Sequence, residues 1–289
     1  MNPSCLQKGI MKNQALILDF EKLDQAQTLK IAETVISCDR LSPERVISLF
    51  LNSGFHHVVQ KSSPDFVAES AIAESMIQHP DHFLQFPMSV LFAEKNPNLD
   101  TERSHRDLSW QVSDPKEKRD LLTTVDEYMK KNATPQSLAQ DAKMVVDEII
   151  TNALHHGPFV GSGITGPSSE QIRQSLGSDP KKWPQVFVGR TAERIFVGCS
   201  DFNGSLNLEK MIKRIQFAFI SGPGEIINFG RGGARIGAFM MFECCTSFYA
   251  AVDEGKITTI VCGFPQRKSA KVRHEMPKNL HLIWRKKSS

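Results

Sequence analysis

Residues 147–157 read DEIITNALHHG, and Glu148, Asn152 and His156 recur every four positions. In an α-helix, positions four apart lie one turn above each other, so these three share one edge. Val145, Ile149 and Ala153 make one apolar face, and Val146, Ile150 and Leu154 make another. A carboxylate and an amide inside such a helix are costly unless they are paired or bound to something. A hard cation with phosphate oxygens would satisfy both groups, because Mg²⁺ takes oxygen ligands and keeps several waters. Asn152 would supply a carbonyl oxygen, and Glu148 a proton acceptor for a water or hydroxyl. Taken alone, the row fits two solvent-facing helix residues equally well.

The helix opens at Thr134-Pro135 and stops at Gly157-Pro158. Before it, DLSWQVSD (107–114) alternates like a strand, and PKEKRDLLTTVDEYMKKN (115–132) reads as a helix. After it comes a glycine-rich loop, PFVGSGITGPSSE (158–170). Two hairpins are expected. QVFVGR and RIFVGCSD flank a turn near 191–193, and SFYAAV and ITTIVCGF flank DEGK. Between them lie a helical piece (207–219), a glycine-rich segment (221–237) and AFMMFECC. Over about 12–95 a strand–helix alternation predicts a small α/β unit. Its strands are QALILDF (14–20) and HHVVQ (56–60); its helices are 24–37, 42–55 and 63–79. The expected division is therefore 1–95, a linker at 96–106, a main domain at 107–265 and a basic tail at 266–289. No repeat of 20–50 residues is present.

The order of motifs beyond the helix resembles the histidine-kinase-like ATPase superfamily, the GHKL proteins with the Bergerat fold. The resemblance covers about 107–264 and is closest to stand-alone members such as the anti-sigma-factor serine kinases. Their N box, E-x-x-x-N-A-x-x-H-G, is matched in full from Glu148 to Gly157. The resemblance implies an α/β fold: a two-layer α/β sandwich, a mixed and mostly antiparallel sheet covered by helices. It also implies ATP and Mg²⁺ as cofactors, Glu148 as catalytic base or water-orienting group, Asn152 as metal ligand, and His156 near the phosphates. Asp201 fits the aspartate that accepts from the adenine amino group. Asn203 holds the glycine position two residues later, with Gly204 one residue late. Gly233 and Gly237 fit the ends of the G-x-G-x-G box, but Arg235 replaces its central glycine. Arg235 could add a phosphate contact or block the approach of the backbone amides. Thr258 matches the late threonine of the strand closing the pocket.

Two function classes follow. In the first, the chain is a serine/threonine kinase-type signalling protein that transfers the ATP γ-phosphoryl to a regulatory partner, sigma-factor-like or anti-anti-sigma-like. In the second, it is a degenerate nucleotide-binding module with little or no catalysis. Intact Glu148 and Asn152 favour the first; Arg235 and the shifted Gly204 favour the second. A homodimer is left open.

Two further resemblances are weaker in their residues. ERSHRDLSW (102–110) resembles the phosphoacceptor box of sensor histidine kinases around His105. Only 42 residues separate His105 from Glu148, too few for a dimerising hairpin of two long helices. Asp19, Ser37 and Lys61 fall in the order of a degenerate receiver domain, with too short a gap between the first two.

Charge is uneven. Residues 266–289 hold eight Lys/Arg against Glu275 alone, and the remaining 27 basic and 31 acidic residues leave a net of −4. A solvated, mobile basic terminus is expected. A net charge of +3 does not argue for nucleic acid. Six cysteines with no C-x-x-C pair read as reduced core residues, and no apolar run approaches a membrane span. A soluble, cytoplasmic protein is expected.

Overall fold

The computed structural model describes residues 16–19, 34–92, 108–164, 166–222 and 236–287, with the backbone only at 16–19 and His156. The linker at 96–106, His105, Gly233, Arg235 and most of the helix expected over 24–37 lie outside the described residues. The chain is an α/β protein built on a mixed sheet of nine described strands in the order β1-β2-β3-β9-β7-β8-β6-β5-β4. Strands β1 (Leu16–Asp19), β2 (Thr34–Cys38) and β3 (His57–Gln60) run parallel to one another. The backbone sets Asp19 opposite Ser37, and Lys61 follows β3.

Strands β4 (Leu108–Gln111), β5 (Gln185–Arg190) and β6 (Arg194–Asp201) pair antiparallel, and β6 pairs antiparallel with β8 (Ile257–Pro265). β8 forms the second hairpin with β7 (Ser247–Asp253). Both hairpins stand where the alternating apolar runs predict them.

Period-2 burial sends successive side chains to opposite faces of the sheet. On one face, Val186, Val197, Phe248, Ile260 and Leu280 meet a helical layer. That layer contains α1 (Pro43–Ser53), α5 (Lys118–Lys131), α6 (Gln136–Thr151), α7 (Ser169–Leu176), α8 (Leu208–Ser221) and α9 (Gly237–Cys244). Sheet and layer make the expected two-layer sandwich. On the other face, Phe187, Phe196, Tyr249, Val261 and Ile283 are capped by α2 (Phe66–Gln78), α3 (Pro80–Gln85) and α4 (Pro87–Leu91).

That far face holds a buried polar network. Glu69 on α2 accepts from Ser247 Oγ at 2.7 Å and Tyr249 at 2.8 Å, contacts His281 Nε2 at 2.9 Å, and pairs with Arg194. His281 Nδ1 lies 3.5 Å from His57 Nδ1. Burial raises the Glu69 carboxyl, but Arg194 and His281 outweigh it and hold the group at about 2.

Three sequence readings need correction. The helix expected over 24–37 does not include its end: residues 34–37 are strand β2, where the β-branched pair Val35-Ile36 is buried on both faces. The expected mobile basic tail is structured. It forms α10 (Ala270–Glu275) and β9 (Asn279–Arg285), which pairs parallel with β7 and antiparallel with β3. Two of its cations are buried and used, while Arg267, Lys268, Lys271, Lys286 and Lys287 stay exposed: Arg273 pairs with Asp141, and Lys278 donates to the carbonyls of Glu243 and of Cys245, the latter at 2.6 Å. Third, the glycine-rich loop ends at Ser168, whose side chain and Gln171 form a capping box that starts α7. The five described cysteines are buried, with no disulfide among them.

Candidate active site

Helix α6 carries Glu148, and Asn152 follows its last residue, with the Asn152 amide donating to Glu148 Oε1 at 3.0 Å. Loss of hydration raises the Glu148 carboxyl; the Asn152 hydrogen bond lowers it and the Asp147 charge raises it further. Directly after α6, residues 152–156 form a π-turn, closed by Gly157 N–H to the Asn152 carbonyl. The wider turn means that position 156 no longer follows Asn152 by one α-helical step, so the straight three-residue row ends at Asn152. Single π-turns occur often at functional sites.

Two elements pack on this helix end. Lys118, at the start of α5, pairs with Asp147 at 2.9 Å and donates to Thr151 Oγ1 at 2.6 Å. Nothing local in the sequence links positions 118 and 147, and sequence reasoning missed this bridge. From the other side, Gly237 opens α9 against Glu148, so closely that a β-carbon there would fall within the carboxyl group. A cavity of about 370 Å³ lies beside them, lined by Leu122, Lys143, Met144, Glu148, Gly237 and Met240 among others.

The end of strand β6 meets the same helix end. A β-carbon on Gly157 would lie 3.2 Å from Asn203 Nδ2, 3.4 Å from Ser205 Oγ and 3.6 Å from the Asn152 carbonyl oxygen. Asp201, two residues before Asn203, accepts from the Asn203 backbone N–H at 3.0 Å. Its dense surround strips hydration and pushes the carboxyl up to about 6, against the lowering effect of the Asn203 and Gly204 hydrogen bonds.

Thr258 stands opposite Asp201 in the β6–β8 register. It favours the ionised carboxyl, yet its buried hydroxyl has no hydrogen bond of ordinary geometry. The next position along each strand is satisfied: Ser200 Oγ lies 2.8 Å from Thr259 Oγ1, which donates to the Leu84 carbonyl at 2.8 Å. At this strand end Thr258 Oγ1 lacks a partner of ordinary geometry, and the acceptor it faces is the Asp201 carboxylate.

Gly204 has φ +56° and is buried against backbone atoms of the turn joining β7 and β8, with its carbonyl accepting from Gly255 N–H at 2.9 Å. This position requires glycine for the turn packing itself. Gly237 thus meets Glu148 beside a cavity that Asn152, Asp201, Gly204 and Thr258 do not line; Asp201 and Thr258 pair at the end of β6, Asn203 just beyond it meets Gly157 after α6, and Gly204 packs on the β7–β8 turn. Gly233 and Arg235 lie outside the described residues, and so does the His156 side chain. Among the described residues no group of three or more His, Cys, Asp or Glu is placed to hold a metal. A cation held by Asn152 would need oxygens from its ligand, which suits a phosphate-borne ion.

No described helix is long and apolar enough to cross a membrane. No family model matches the chain, and no curated protein matches it. Among solved structures it is similar to a chain in the crystal structure of the SiaB-SiaC complex from Pseudomonas aeruginosa. The TM-score is 0.41 and the identity 14%, over 54% of this chain and 88% of that one.

Proposed function

We propose that this chain binds ATP with Mg²⁺ at the end of α6 and passes the γ-phosphoryl to a serine or threonine hydroxyl of a regulatory protein partner. One observation carries the reading: Thr258 leaves a buried hydroxyl open beside the Asp201 carboxyl, at a strand end that packs on the Asn152 end of α6. A donor–acceptor pair of this kind suits the edge of a purine, which offers an amino group next to a ring nitrogen. Asp201 would accept from the amino group, and Thr258 would turn its hydroxyl to the ring nitrogen. Asn152 would present its amide oxygen to the ion, since the hydrogen bond to Glu148 engages only its amide nitrogen. Glu148, held partly out of water, would take the proton of the acceptor hydroxyl as the new phosphorus–oxygen bond forms and ADP leaves. Bound ATP supplies the phosphoryl group, and Mg²⁺ neutralises its charge.

A second reading keeps the binding and removes the turnover. The Asn152–Glu148 hydrogen bond and the contact of Gly237 with Glu148 both restrain the proposed base. Calorimetric titration of ATP, with and without Mg²⁺, separates the readings when combined with phosphoryl-transfer assays. Binding by the wild type, weakened by Asp201→Asn, supports the site. Loss of the Mg²⁺ dependence in Asn152→Ala supports the ligand role. Binding with no transfer or hydrolysis selects the second reading. Absence of binding in both the wild type and Arg235→Gly removes the proposal.

A further inference from the structure

Beside the Glu148 cavity runs an open groove of about 710 Å³ along the first turns of α5 and the middle of α6. Four cations line it, Lys116, Lys118, Arg119 and Lys143, against the single carboxylate of Asp120. Lys118 is engaged by Asp147 and Thr151. Lys116, Arg119 and Lys143 are exposed, and their side chains make no ion pair or hydrogen bond with another described residue. Leu122 and Lys143 line both the groove and the Glu148 cavity, so the two are continuous.

From this juxtaposition we infer that the groove docks an acidic segment of the partner protein and delivers a neighbouring serine or threonine to Glu148. The inference rests on the transfer reading above. Lys116 and Lys143 act on Asp114 and Asp126 through space only, and like-signed exposed cations attract an acidic chain and set its register more than its affinity. Lys143 and Glu148 are five residues apart on α6, about 7–8 Å along the axis. They are also rotated by about 140° around the helix, and an extended peptide advances about 3.3 Å per residue, so the acidic residue on Lys143 stands about three to five positions from the acceptor hydroxyl. A nucleic-acid strand suits the groove less well, because its phosphates would run on toward the carboxylates of Asp147 and Glu148.

The test uses a labelled peptide carrying a serine beside a run of glutamates, its twin with lysines for glutamates, and a poly-dT oligonucleotide. The triple variant Lys116→Glu/Arg119→Glu/Lys143→Glu is compared with the wild type, with thermal unfolding as a check on the fold. The wild type is expected to bind the glutamate peptide at low salt without nucleotide. The triple variant should weaken that binding about tenfold, the sum of three exposed ion pairs. A zero-length carbodiimide coupling should join the peptide to Lys116 or Lys143. Equal or tighter binding of the lysine twin or of poly-dT overturns the proposal. So does unchanged binding by a folded triple variant, or no binding of the glutamate peptide. ATP titration of the double variant Lys116→Glu/Arg119→Glu, which spares the cavity-lining Lys143, is expected to match the wild type. If the wild type binds the peptide but no ATP, the transfer reading fails while docking stands.

Discussion

The Glu148 carboxyl rests directly on the Gly237 backbone, so one helix start fixes where the acidic end of another helix's side chain can go. Gly237→Ala would add a methyl group where the carboxyl now lies. The displaced atoms are the far end of a flexible side chain, and alanine at a helix start is worth up to about 1 kcal/mol over glycine. Calorimetry should therefore find stability unchanged or slightly raised, while any phosphoryl transfer or ATP hydrolysis is lost. A large drop in melting temperature would show that the contact is structural rather than positional.

Gly204→Ala should behave in the opposite way. The added carbon would meet backbone oxygen and nitrogen of Asp253 and Lys256, which cannot rotate away, and φ is positive. A loss of about 2–4 kcal/mol is expected in denaturant unfolding. A loss under about 0.5 kcal/mol would mean the β7–β8 turn yields easily.

Asp201 sets a pH dependence of both stability and binding. Its carboxyl is raised from 3.8 to about 6 in the fold, so the native state holds the proton more tightly than the unfolded chain. Its contribution to stability is present below about 4 and lost as pH rises through about 6. Asp201→Asn should flatten that slope and gain about 1–2 kcal/mol at neutral pH, after allowance for partial exposure. Nucleotide affinity should run the other way and strengthen from pH 5 to 7, because an adenine amino group needs the ionised acceptor. Titrations showing equal affinity at both ends would remove Asp201 from recognition.

Glu69→Gln leaves Arg194 buried without its main counter-charge. Breaking such a pair costs about 3–5 kcal/mol. The depressed carboxyl contributes stability above its unfolded value of 4.5 and loses it as pH falls toward about 2. Wild type and variant should therefore converge in stability as the solution is acidified, a comparison that urea titrations at several pH values would make.

Lys278 shows why some of the fold could not be read from the chain. A cluster of cations has the composition of a solvated terminus, yet Lys278 spends its donors on two backbone carbonyls and Arg273 is matched by Asp141, which lies 132 residues away in sequence. Such partners exist only in three dimensions. Strand β9 could have been noticed from its alternation, since Leu280 and Leu282 face one core and His281 and Ile283 the other. The Glu148–Asn152 edge was legible because a four-residue step is itself a geometric statement about a helix. The π-turn was not, because its residues, Asn152–His156, are compatible with an ordinary helix. Asp201 and Thr258 were legible as strand positions, while their direct pairing needed the β6–β8 register.

Strand β9 slots between β3 and β7, and Gln60 hydrogen-bonds to Lys278 across 218 residues of chain. During synthesis the first three strands therefore wait, with an unfilled edge, until almost the whole described chain has left the ribosome. Such distant closure is slow and leaves a sticky rim exposed meanwhile. A nascent form of this protein would depend on chaperones, or on fast completion of translation, more than its modest size implies.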